Sequence, residues 1–196
     1  MNKLKLGLIA GFSILLVSIV VYSVGDPLIR LISYQGPVLS GGVLGWYTLY
    51  RYTPLDKYAE NQDGENVPVA SILIRRRAWM IIVAGIGLIV PWLTPWVYSY
   101  TLNYQVLFVG SFLSQFVGGF MIGYVITSLK FMERFILYSL GFASDLFFVL
   151  LLYIYSSLFQ ISQTVLLNDV LVLVYGVKLL EGIAFGLYVV RRINAI

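Results

Sequence analysis

The chain has 196 residues, of which 60% are hydrophobic and 11% charged, and its formal net charge is +4. Soluble domains carry about 25% charged residues, so this composition belongs to an all-α integral membrane protein. Cys and His are both absent, which excludes disulfides, Cys/His zinc sites, thiolate-held clusters and His-ligated haem, and removes the base of Ser-His-Asp or Cys-His catalysis.

Lys3 and Lys5 precede an apolar run from Leu6 to Val24. Ser23-Val24-Gly25 has the small-x-small form of a signal cleavage site, but the run is long for a signal. It is read as a first membrane helix, about residues 5–24. The second segment, 31–50, is rich in glycine, with Gly36-Pro37, Gly41-Gly42 and Gly45. Glycine weakens a helix in water by roughly 1 kcal/mol relative to Ala, yet in membranes it allows backbones to approach closely. The segment therefore either spans or forms a short, kinked, re-entrant dip.

Charge placement decides for spanning. Further helices are expected at about 78–100, 104–129, 135–159 and 165–190, making a bundle of six in one membrane domain, 1–196. One side then holds Lys3, Lys5, Arg51, Lys57, Arg75, Arg76, Arg77, Lys130, Arg134, Arg191 and Arg192, and the other holds Arg30. By the positive-inside rule the first side is cytoplasmic. Both termini and the loop 51–77 belong there, in a multi-pass protein of the plasma membrane. Arg75, Arg76 and Arg77 are expected at lipid headgroups. In the loop, Asn61-Gln62-Asp63-Gly64 fails the spacing of a calcium loop, because Ala59 and Ala70 fall at its first and twelfth ligand positions. Its carboxylates are read as solvated.

The third span contains Pro91, which removes a helical hydrogen bond and predicts a kink. The fourth places small residues at intervals of four: Gly110, Ser114 and Gly118 on one line, with Gln115, Gly119 and Gly123 beside it. Gly182 and Gly186 repeat the device in the last span. Such spacing brings helix backbones together.

Three charges fall in mid-span: Asp145 in the fifth segment, Lys178 and Glu181 in the sixth. By a rise of 1.5 Å per residue they lie about 15–20 Å from the cytoplasmic face, near the midplane of a core about 30 Å thick. A short connection makes the two segments antiparallel neighbours, so Asp145 is expected to face Lys178 or Glu181, with Gln115 slightly outward. Charge at this depth costs several kcal/mol and marks ion or proton pathways when not structural. A small transport component is the function expected, and an accessory, non-redox subunit of a larger membrane assembly is the alternative. The expected partners are the lipid bilayer with other membrane subunits or further copies of the chain. No enzyme activity, cofactor, metal or nucleic acid is expected.

Overall fold

The structure, a computed structural model, describes residues 3–54, 56–61, 63–158, 160, 162–169 and 174–193, without the side chains at 95, 145, 146, 163, 169, 192 and 193. It divides into two compact units, Met1–Arg134 and Phe135–Ile196.

The first unit contains α1 (Lys3–Val24), α2 (Pro27–Ile32), α3 (Gln35–Arg51), a hairpin of β1 (Tyr58–Glu60) and β2 (Asn66–Pro68), α4 (Val69–Ile74), α5 (Ala78–Ile89), α6 (Pro95–Asn103) and α7 (Gln105–Val125). The first turn of α8 (Phe131–Leu158) closes it. The rest of α8, with α9 (Gln163–Asp169) and α10 (Gly176–Ile193), forms the second. The fold is all-α apart from the hairpin. Among the described residues three helices are long and apolar enough to cross a membrane: α1, α7 with its 3-10 extension to Ser128, and α8. A fourth joins them if Val69–Leu93 and Trp96–Asn103, bent by 68°, form one span.

Packing in the first unit is governed by small residues. A Cβ on Gly118 would lie 2.6 Å from the carbonyl oxygen of Gly85, and one on Gly85 2.8 Å from that of Gly118. On the neighbouring line of α7, Gly119 abuts the Val38 backbone and Gly123 that of Gly42, while Gly41 and Gly45 of α3 abut Phe116 and Phe120. The glycines that weaken α3 in water are thus its contact face. These pairs run in the same order along both chains, so α3 and α7 are parallel. Gly11 meets Leu44 and Gly7 meets Trp46, so α1 opposes α3; Gly85 meets Gly118 and Ser114 donates to the Leu88 carbonyl at 2.7 Å, so α5 opposes α7. In α1 the buried residues are Gly11, Ser18 and Tyr22, while Ile9, Phe12, Leu16 and Val17 are exposed.

Pro37 and Pro91, of which the second was expected to kink its span, disturb their helices differently. Pro37 cannot donate to the Ser33 carbonyl; the Gly36 N–H takes it at 3.0 Å, and the helix is interrupted between α2 and α3. Around Pro91 the chain forms a 3-10 turn, Val90–Leu93, and Thr94 is extended before α6 begins. The expected last span, 165–190, covers α9, a π-turn at 174–175 and α10, and its residues 170–173 lie outside the described residues.

The loop 51–77 is built rather than merely solvated. β1 and β2 pair antiparallel, Tyr58 opposite Pro68 and Glu60 opposite Asn66. Asn61 Oδ1 accepts from the N–H groups of Asp63 and Glu65, both at 2.9 Å, and Gly64 takes φ 71°. A side chain there is strained, so Gly64→Ala is expected to cost about 1 kcal/mol and to lower the thermal midpoint in detergent. An unchanged midpoint would mean that the turn does not need this conformation.

Candidate functional site

Lys178 and Glu181 stand one turn apart on α10, a spacing that puts them on one helix face. Lys178 Nζ donates to Glu181 Oε2 at 2.6 Å, with the two side chains 18% and 26% exposed. The ammonium also lies 5.6 Å from the centre of the Phe142 ring of α8. A cation over an aromatic face is attracted by the ring quadrupole. Phe185, one turn beyond Glu181, packs against Phe135, Tyr138 and Phe142 at 5.5, 5.0 and 6.4 Å between ring centres. As α8 ascends from 135 to 142 its partners on α10 descend from 185 to 178, so the two helices are antiparallel. The aromatic layer between them shields the pair.

Asp145 belongs to α8, and its side chain lies outside the described residues. Its position is known from the helix. Residues 135, 138, 142 and 145 recur at the three-and-four spacing of one helical face, and Asp145 is the next place on that line after Phe142. Gln115, expected slightly outward of the charges, belongs to the first unit. It is 3% exposed, and its Oε1 accepts from the Tyr22 hydroxyl at 2.7 Å.

The small residues divide by surroundings. Ser114, Gly118, Gly119 and Gly123 each meet a neighbouring helix, and Gly182 meets Phe142 at 3.8 Å. Among the described residues nothing lies within 4 Å of a Cβ position on Gly110 or Gly186. Of the three consecutive arginines, Arg76 and Arg77 are exposed, whereas Arg75 pairs with Glu133 at 2.5 Å.

Sequence reasoning missed a second charged cluster. Arg134 is 6% exposed; its Nη2 lies 2.5 Å from Glu65 Oε2 and 3.6 Å from Asp63 Oδ2, and its Nε donates to the Leu129 carbonyl at 3.1 Å. Asp63 Oδ2 also accepts from the Phe131 N–H at 2.8 Å. The hairpin is thereby fastened to the turn between α7 and α8. The Asn-x-Asp-Gly turn between two β-prone stretches is a hairpin signal, and the turn 130–134 offers opposite charge. Together these were the available clue. Among the described residues, no group of three or more acidic side chains is placed to hold a metal ion. No protein-family model, curated protein or solved structure matches this chain.

Proposed function

We propose that this is a multi-pass protein of the plasma membrane, with six spans and cytoplasmic termini, acting as a small transport component for a cation, a proton-coupled solute or another small molecule. Its site is the charged layer of Lys178, Glu181 and Asp145. The observation that carries the reading is the Lys178–Glu181 pair, in the first two turns of α10 and about three-quarters buried, with Phe142 beside the ammonium. Ion pairs on a lipid-facing surface are costly, and intramembrane charges face partners or a polar path. Asp145 follows Phe142 on the same helical line, and we assign it as the second carboxylate of the site, so that two acids stand against one ammonium. One of them is left to take up and release a cation or a proton.

The membrane arrangement rests on three supports. In the first unit α1, α3, α5 and α7 alternate in direction along the chain. Lys3, Lys5, Arg51, Arg75 and Arg134 gather at the end where α1 and α5 begin and α3 and α7 finish. Large apolar side chains point outward while Ser18, Ser40 and Gln115 are buried, the pattern of helices solvated by lipid.

Purified protein in liposomes tests the site. Asp145→Asn and Glu181→Gln are expected to abolish cation or proton flux while leaving the helical circular-dichroism spectrum intact. Flux equal to that of the parent protein in both variants would end this reading. An accessory role in a larger assembly draws on Gly110 and Gly186, small-residue positions with no neighbour in reach among the described residues. Native mass measurement after gentle extraction distinguishes it by showing a hetero-complex.

A further inference from the structure

A polar junction lies where α1, α3 and α7 meet in the first unit. Gln35 opens α3 directly after the interruption caused by Pro37, and it is 6% exposed. Neither its Oε1 nor its Nε2 has a hydrogen-bond partner among the described residues. A buried carboxamide left without partners loses the full hydration of its donors and acceptor, and each such group in a native fold calls for a cause.

Register places a second carboxamide opposite it. Val38 and Gly42 of α3 meet Gly119 and Gly123 of α7. Gln35 lies three residues before Val38 on the same line, and Gln115 lies four before Gly119. Gly41 and Gly45 meet Phe116 and Phe120 on the adjoining line, and the two lines together place the carboxamides within about one turn of each other at the same end of the α3–α7 interface. Gln115 accepts from Tyr22 of α1 at 2.7 Å. The Tyr22 ring, 5% exposed, is enclosed by Phe112 at 4.9 Å and Phe108 at 5.6 Å. Gly36, the neighbour of Gln35, abuts Ser18, one turn below Tyr22.

The geometry points to a binding site for a small, uncharged hydrogen-bonding molecule of the size of water, held between Gln35 and the Tyr22–Gln115 pair. The three side chains carry no formal charge and so offer an ion no counter-charge. They do offer donors and acceptors on two sides, which is what a buried water requires. Interrupted helices lining polar pockets at membrane depth are tolerated for the same reason, since the pocket satisfies freed polar groups. The site is independent of the charged layer on α10, and its failure leaves that reading untouched.

Hydroxyl-radical labelling by X-ray radiolysis of the full chain in detergent, with a radical scavenger in the bulk, tests it. Radicals born from a water held at the junction modify the nearest side chain. Tyr22 is expected to be oxidised despite its burial, with the half-exposed Tyr100 as the scavenger-sensitive reference. Gln35→Met keeps the volume and removes the polar atoms; it is expected to reduce Tyr22 oxidation several-fold and to lower the thermal midpoint. A silent Tyr22, unchanged oxidation in the variant, or a midpoint that stays or rises on removing the amide would overturn the proposal. If Gln35→Met does not fold, the parent protein decides: oxidation of Tyr22 supports the site and silence overturns it.

Discussion

Gly123→Ala is expected to unfold the first unit at a markedly lower temperature, a loss of about 2–3 kcal/mol, and Gly123→Leu to prevent its folding. The reason is geometric. The added Cβ would run into the backbone of Gly42, with its carbonyl oxygen first in line, and a backbone carbonyl cannot swing aside as a side-chain tip can. The helices must separate, and α3 and α7 share the most extensive interface in the unit, continued by Gly119 against Val38 and by Gly41 and Gly45 against Phe116 and Phe120. Where both solvent and side chains are hydrocarbon, separation is not opposed by the hydrophobic effect, and close packing supplies most of the attraction. Gly110→Ala and Gly186→Ala are the controls. Their Cβ atoms enter open space, so each is expected to change stability by no more than about 0.5 kcal/mol. Thermal unfolding in detergent, followed by circular dichroism, reads all four. Equal midpoints for Gly123→Ala and Gly110→Ala would show that the backbones do not approach as described.

That contrast also shows what was readable in the chain. Spacing by four identified α7 as a helix with small faces, but it gave Gly110 and Gly118 the same meaning. Only the position of a neighbour separates them, and a neighbour parallel to α7 yet distant in sequence leaves no local trace. Gly41 and Gly45 were ambiguous because water-based propensity counts a glycine's cost and omits the contact it permits. Long apolar runs made α1, α7 and α8 legible, and Pro91 announced the break before α6. The pair Lys178–Glu181 was legible because an i,i+3 spacing fixes a face without tertiary information. Gln115 was placed slightly outward of the charges from depth alone, and its hydrogen bond to Tyr22, far away in sequence, could not be read from spacing. Depth orders residues along the membrane normal and says nothing of which helix stands beside them. The carboxylates of 51–77 were read as solvated because loops usually are. Recognising Asp63 and Glu65 as partners of Arg134 required a turn near residue 130 to come beneath the hairpin.

Arg134→Met carries the second large effect. The Arg134 side chain is 8% exposed and its guanidinium faces Asp63 and Glu65, whose side chains are 19% and 22% exposed. Removing one member of a buried pair leaves uncompensated charge and costs about 3–5 kcal/mol when desolvation is complete. Partial exposure of the carboxylates here reduces that to about 2–3 kcal/mol. The loss has a local signature, because the hairpin is held to the α7–α8 turn through this side chain and through Asp63 at the Phe131 N–H. Protease sites within 51–77 are therefore expected to be cut faster in Arg134→Met, at a detergent and temperature where the helical signal is intact. The triple variant Asp63→Asn, Glu65→Gln, Arg134→Met removes all three charges, while the Asn oxygen still accepts from Phe131. Because the cost lies in stranded charge more than in lost attraction, the triple variant is expected to regain most of the stability lost by the single one. If it is as unstable as Arg134→Met, the ion pairs are not what fastens the hairpin, and the loss belongs to the bond from Arg134 Nε to the Leu129 carbonyl inside the α7–α8 turn.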